Sequence, residues 1–510
     1  MKKNQEKFVE ILDTTLRDGE QTPGVAFAPE EKLAIARGLL IQMHIDRIEI
    51  GSARVSEGER ESLAEILQWG KARGFADRME ILGFVDGGKS VDWIAACGGK
   101  VINLLAKGSE RHCRAQLHKE PRQHFADVKK EIEYAVNAGL KVNLYLEDWS
   151  NGMRNSLSYV FNFLQEIREM NVERIMLPDT LGILSPDEVE LYLSWIYKLD
   201  GDLRLDFHAH NDYGMATANS LAAVRCGVNG IHATINGLGE RAGNQSLEQI
   251  VAAIHDHTER LTRIPEKMLK DASDTLQAIS GKRCSWNAPI VGSDVFTQTC
   301  GVHADGDKKA NLYMNELLPE RFGRTRDYAL GKLSGKASIE KNLDEWGIGN
   351  LAPEVRGKVL QEVVRLGDKK KQLSPADLPF ILAGVLHSPV KGRVEILDYH
   401  VETRHGKSPV SEVTARIDGT VFREKASGNG GYDAFMKALR KLLRKHDIRF
   451  PKLADYEVRI PPGGKTDAIV ETTISWSLPG GKILKTVGVD CDQIAAAISA
   501  TEKMLNMVIL

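Results

Sequence analysis

The chain has 510 residues, too many for one ordinary domain, although a single β/α barrel can take up about 250 of them. Its 68 Lys and Arg nearly balance 70 Asp and Glu, and 42% of residues are hydrophobic, as in a soluble globular protein; this excludes a polyanion such as nucleic acid as the expected partner. The charged first residues run straight into a strand-like Phe8-Val9-Glu10-Ile11-Leu12, the apolar stretch Leu378 to Leu386 is far shorter than the ~20 residues of a membrane span, and no CxxC pair occurs, so a reducing cytoplasmic setting without a membrane is expected.

From residue 8 onward, short apolar runs alternate with amphipathic segments. The runs are 9–12, 47–50, 81–85, 101–105, 142–146, 174–177, 203–207 and 230–233. Between the first two, Glu30 to Met43 reads as one helix with Leu33, Ala36, Leu40 and Met43 on a single face. Repeated βα units build either an open doubly wound sheet or a closed barrel. A barrel gathers its chemistry where strands end. Arg17 and Asp18 follow the first run, Glu147 the fifth, Asp179 and Thr180 the sixth, and His208 and His210 the seventh, which favours the (β/α)8 barrel.

The barrel is expected over 1–270, and a linker with a helical subdomain over 271–387. From 388 to 510 an α+β domain follows, in which strand, tight turn, strand, acidic cap and helix occur twice. One copy passes through Asp418-Gly419 to the helix at 434–443, the other through Pro479-Gly480-Gly481 to the helix at 494–505. Such a pair can bind a small ligand, dimerise, or be merely structural.

His208-Ala209-His210 sets two imidazoles on one side of a strand end, where they can chelate one ion. A lone HxH is also compatible with packing. Asp18, on the strand that neighbours the eighth in a closed barrel, adds a hard oxygen; two His and one carboxylate leave room for substrate at a Zn2+, Mn2+ or Mg2+ ion. Arg17 is either a surface ion-pair partner or a group that stabilises a developing oxyanion. Glu147 is a candidate general base or an organiser of neighbouring groups. The loop Gly237-Leu238-Gly239-Glu240-Arg241-Ala242-Gly243-Asn244 can bring Asn244 close to the site, and the connector segment from Cys300 to Asp307 is either a closing loop or a plain polar turn.

Taken together, Leu16-Arg17-Asp18-Gly19-Glu20-Gln21, Leu177-Pro178-Asp179-Thr180-Leu181-Gly182, His208-Ala209-His210-Asn211-Asp212 and the loop at 237–244 resemble the α-isopropylmalate, homocitrate and citramalate synthase family, and the likeness spans essentially the whole chain. The resemblance implies condensation of acetyl-CoA with a 2-oxo acid and then thioester hydrolysis. It implies a divalent metal on Asp18, His208 and His210, with Asn244 as a further ligand. It also implies a substrate site of Arg17, Asp18, Tyr145 and Thr180, and catalysis by Arg17, Glu147, His303 and Asp305. Asn311, Leu312 and Tyr313 would contact acetyl-CoA. Leu82, Leu105 and Tyr145 resemble the crowded pocket of the members that take pyruvate rather than 2-oxoisovalerate. Tyr432, Asp433, Leu453, Tyr456, Ile460, Thr466, Val470 and Gln493 occupy positions that line the effector pocket of the family's regulatory domain, pointing to isoleucine feedback and a homodimer. Cys491 departs from the proline expected there. Acyl-CoA retro-aldol lyases share Arg-Asp and His-x-His but carry a cysteine in the glycine-rich loop, which Gly239-Glu240-Arg241 lacks.

Overall fold

The computed structural model describes residues 7–310, 312–345, 351–368, 373, 377–386, 394–460, 470–478 and 483–508. The chain divides into two compact units, one of Met1–Phe296 with Asn315–Thr325 and one of Thr297–Met314 with Arg326–Leu510. Asn311 and Thr466, expected site residues, and the expected turn at Pro479-Gly480-Gly481 lie outside the described residues.

The first unit is a closed barrel of eight parallel strands in chain order: β1 Glu10–Asp13, β2 Arg47–Ser52, β3 Met79–Phe84, β4 Val101–Lys107, β5 Lys141–Glu147, β6 Arg174–Asp179, β7 Leu205–Ala209 and β8 Gly230–Ala233. β8 returns to pair with β1, which closes the sheet and leaves no edge. Every expected run is a strand. Strand alternation explains both faces. Ile11, Ile48, Ile81, Leu104, Leu144, Ile175, Phe207 and Ile231 belong to the large apolar cluster shared with the surrounding helices.

The residues between them point inward, and many are charged. Near the start of the strands, Arg47 pairs with Glu10 (3.1 Å), Glu80 (2.9 Å) and Asp206 (2.5 Å), and Arg174 pairs with Glu10 (2.9 Å) and Asp206 (3.0 Å). A smaller apolar group of Leu12, Leu82, Tyr145, Met176 and Leu105 also lies inside the barrel.

The helix expected from Glu30 to Met43 is two elements, an α-helix Pro29–Arg37 and a π-helical turn Gly38–Gln42 closed by Met43 N–H to the Gly38 carbonyl at 2.9 Å. The wider turn begins at a glycine and leaves Leu40 and Met43 still buried.

In the second unit, β9 Thr297–Gln298 and β10 Asp327–Tyr328 form a short parallel pair, and helices Lys336–Glu345, Pro353–Asp368 and Leu378–Val385 share a small core around Val359 and Val363. The apolar stretch at 378 is therefore part of a helical core. Among the described residues no helix is long and apolar enough to cross a membrane. The last part is a duplication: β11 Val394–Glu402, β12 Val410–Ile417 and β13 Thr420–Ser427 precede helix Gly431–Arg444, and β14 Lys452–Arg459, β15 Val470–Ser477 and β16 Ile483–Asp490 precede helix Gln493–Val508. Each copy is an antiparallel sheet of three strands; β11 falls on the alternating run 393–397 of the sequence, and β14 is a strand that the repeat pattern did not include. Asp418 and Gly419 take φ of 48° and 84°, the left-handed pair of a tight hairpin turn. One core serves both copies, with Phe435 and Leu439 from the first beside Trp476 and Met504 from the second.

Candidate metal centre and active site

The chain turns sharply after β1, and the 3-10 turn Gly19–Gln21 leaves Asp18 buried at its start. Across the barrel mouth His208 on β7 and His210 just beyond it present their Nε2 atoms to each other at 3.3 Å, and His208 Nε2 is 3.5 Å from Asp18 Oδ2. One ligand atom from each of Asp18, His208 and His210 lies within 4.8 Å of the other two, the one such group among the described residues. Burial, and then the neighbouring His210, His232 and Arg17, hold His208 well below the ordinary imidazole range; burial lowers His210 as well, against the pull of Asp18. Neutral imidazoles are the form that binds metal. Asp18 Oδ2 is buried without a hydrogen-bond partner, as is Asn244 Oδ1. Two imidazole nitrogens and a hard carboxylate oxygen that lacks a hydrogen-bond partner converge there and fit a divalent cation.

Asn244 is placed by the glycine-rich loop. Its Nδ2 donates to the Leu238 carbonyl at 2.9 Å, and its backbone bridges that of His210. Gly243 makes the turn possible: its φ is 86°, and a Cβ there would sit 2.1 Å from the Gly237 carbonyl oxygen.

Arg17 is fixed from three sides. Its Nε donates to Glu49 Oε2 at 2.6 Å, one terminal nitrogen pairs with Asp18, and the other lies 3.4 Å from the Tyr145 hydroxyl. Glu49 is itself steadied by Asn103 (2.7 Å), which takes a bond from Asn143 (2.8 Å). This is a largely enclosed, oriented guanidinium and not a surface ion pair. Each terminal nitrogen still carries a second N–H.

Leu82, Leu105 and Tyr145 meet in the apolar group with Leu12 and Met176. Glu147 ends β5 and forms an ion pair with Lys107 at the end of β4. Thr180 accepts the Asp148 N–H at 2.9 Å, which fixes its hydroxyl at the end of β6. Arg17, Asp18, Tyr145, His208 and His210 are thus linked through contacts in one barrel mouth.

His303 and Asp305 belong to the second unit, on helix Gly301–Ala310. Both are exposed; His303 stacks on Tyr313 with ring centroids 4.1 Å apart, and Asp305 pairs with Lys309 at 2.7 Å. Leu312 is exposed beside them. In the duplicated part, Tyr432 from the first copy meets Tyr456 from the second at 5.3 Å between centroids and shares a 2.7 Å hydrogen bond with Thr501. Tyr456 interacts with Gln493. Asp433 accepts the Asn429 N–H at 2.8 Å, Val470 is buried, and Leu453 and Ile460 are exposed.

Glu49, Lys107, Asp206 and His232 escaped the sequence reading. Their signal is alternation: Arg47-Ile48-Glu49-Ile50 and Leu205-Asp206-Phe207-His208 place polar residues at every second position of runs read only as apolar.

The "HMGL-like" family model matches residues 8–276, the "Homocitrate synthase post-HMGL domain-like" model matches 290–371, and the "LeuA allosteric (dimerisation) domain" model matches 372–509. The chain is similar to "(R)-citramalate synthase CimA" of Methanocaldococcus jannaschii, at 33% identity over 98% of this chain and 100% of that one. It is similar to "Probable 2-isopropylmalate synthase" of Methanopyrus kandleri, at 33% identity over 98% of each. Among solved structures, the HMG-CoA lyase of Bacillus subtilis aligns with a TM-score of 0.48 and 21% identity over 55% of this chain and 96% of that one. With relatives matched along its full length and three family models in the same order, the chain belongs to the citramalate synthase and 2-isopropylmalate synthase family of condensing acyltransferases.

Proposed function

We propose that the chain is an (R)-citramalate synthase, condensing acetyl-CoA with pyruvate and releasing CoA. The observation that carries this reading is the pocket of Leu82, Leu105 and Tyr145, whose tyrosine touches the oriented Arg17. Three bulky side chains leave space for the methyl of pyruvate and crowd an isopropyl group.

Asp18, His208 and His210 would hold a divalent ion, Mn2+, Mg2+ or Zn2+, which when bound supplies Lewis-acid polarisation of the keto group. The spare N–H groups of Arg17 bind the oxo acid and stabilise charge that develops on its keto oxygen. Glu147 takes a proton from the acetyl methyl group; the electron pair left on that carbon forms the bond to C2 of pyruvate, and the keto π pair moves onto oxygen, which is then protonated. Water adds to the thioester, the C–S bond breaks, and CoA leaves as the thiol. His303 and Asp305 serve as acid–base groups, and Asn311, Leu312 and Tyr313 contact acetyl-CoA.

The division into 1–270, 271–387 and 388–510 separates catalysis, connection and regulation. Isoleucine is the proposed effector, in a pocket of Tyr432, Asp433, Leu453, Tyr456, Ile460, Thr466, Val470 and Gln493, and the enzyme works as a homodimer in the cytoplasm. The meeting of Tyr432, Tyr456 and Gln493 at the seam of the two copies and the match to an allosteric (dimerisation) domain support this.

The test is turnover of a panel of 2-oxo acids with acetyl-CoA, followed by free-thiol release. Pyruvate is expected to have the highest kcat/KM. Faster turnover of 2-oxoisovalerate would make the chain a 2-isopropylmalate synthase instead, the reading that the Methanopyrus relative favours.

A further inference from the structure

Behind Tyr145, a file of hydrogen bonds runs down the barrel axis. The Tyr145 hydroxyl lies 3.0 Å from His232 Nδ1, and His232 Nε2 lies 3.3 Å from Asp206 Oδ2. All three side chains are buried. Asp206 in turn receives N–H groups from Arg47 at 2.5 Å and Arg174 at 3.0 Å. Paired with two guanidiniums, Asp206 stands in the file as a carboxylate.

With His232 neutral, the two ends of the file fix every hydrogen in it. A carboxylate only accepts, so the proton of neutral His232 sits on Nε2 and points at Asp206. That leaves a lone pair on Nδ1, and the Tyr145 hydroxyl donates to it. At the other end a guanidinium only donates, so the oxygen of Tyr145 accepts from Arg17 at 3.4 Å. The reverse tautomer would leave Asp206 facing a lone pair and turn the tyrosine proton toward a cation.

We propose that His232 is a positioning residue for the condensation: its tautomer, locked by Asp206, commits the Tyr145 hydroxyl as an acceptor for Arg17 and so sets the aim of the arginine at the 2-oxo acid. The proposal rests on the functional reading above for its kinetic consequence, and on geometry alone for the tautomer. It also assigns a role to the ion cluster at the far end of the barrel, which anchors Asp206 and reaches the site through one histidine.

Two measurements test it. Selective 15N labelling of histidine, with His232 assigned by comparison with His232→Gln, should show the Nε2–H tautomer at neutral pH; an Nδ1–H tautomer or an imidazolium overturns the proposal whatever the activity. A double-mutant cycle then uses His232→Phe, His232→Gln and Tyr145→Phe, each with its thermal unfolding midpoint recorded. His232→Phe should lower kcat/KM for pyruvate about tenfold while KM for acetyl-CoA stays constant, and most of that loss should vanish in the Tyr145→Phe background. Gln keeps a donor and an acceptor and should restore part of the rate. Equal losses in both backgrounds, for whichever His232 variant folds, overturn the proposal. A wild-type enzyme that prefers another 2-oxo acid corrects the substrate, and the cycle is then run on that acid.

Discussion

Arg17 has three acceptors around it, two of them anionic, yet keeps donors to spare, and that geometry depends on a planar fork. Lysine cannot reach Glu49, Asp18 and Tyr145 together, so Arg17→Lys should lower kcat/KM by at least about 100-fold, measured by thiol release, while metal affinity measured by titration changes little. His208→Ala removes a metal donor instead and should weaken Mn2+ binding by about 100-fold or more in the same titration. Leu82 tests the pocket. Leu82→Ala should raise the 2-oxoisovalerate to pyruvate ratio of kcat/KM by about 10-fold or more, the scale of one or two methylenes of added space. The candidate metal centre was legible in the sequence because His-x-His and Arg-Asp are unusual at strand ends. For His232 and Glu49 alternation marks only the inward face; which groups they meet across the barrel is not written in a single strand.

Between elements, the barrel unit is fastened at one point by a compact ionic clasp. Arg321, on the short helix Pro319–Phe322, holds both oxygens of Glu266 (2.5 and 2.6 Å) and one of Asp256 (2.6 Å), and His255 Nδ1 approaches Glu266 at 2.9 Å. Burial alone would raise Glu266, but bonds from Arg321 and His255 outweigh it and bring the carboxyl from 4.5 down to about 2. A depressed carboxyl contributes stability that is fully present above 4.5 and disappears as pH falls through about 2. Glu266→Gln should therefore unfold more readily than wild type at neutral pH, by roughly 1–2 kcal/mol once solvent screening is allowed for, with the difference narrowing toward pH 2 in denaturant titrations. The clasp was invisible in sequence, since Glu266 and Arg321 are 55 positions apart and no periodicity links them. The π-helical turn at Gly38–Gln42 was missed for a different reason: the buried face it presents is the one an unbroken helix would present.

At the scale of the molecule, the sequence pattern was sufficient for the barrel because eight runs in alternation have few ways to fold, and closure was indicated by where the polar residues fall. The duplicated part was legible as a repeat, and β11 as the alternating run 393–397; β14 was not, because it is largely exposed. Regulation is expected to reside at the seam between the copies. Gln493→Ala and Tyr456→Ala should raise the isoleucine concentration for half-inhibition about tenfold or more while uninhibited kcat stays near wild type, measured by thiol release with increasing isoleucine.

The charged barrel interior also acts as a proofreading device during folding. A slip of β2 by one residue would exchange Ile48 with its neighbours, driving Arg47 and Glu49 into the aliphatic shell and an isoleucine into the ionic shaft. Such a chain would bury unpaired charge, at a cost of several kcal/mol for each ion. An all-aliphatic lining would tolerate that error with little penalty. The strands of this barrel thus carry addresses, and only one register delivers each arginine to its carboxylate.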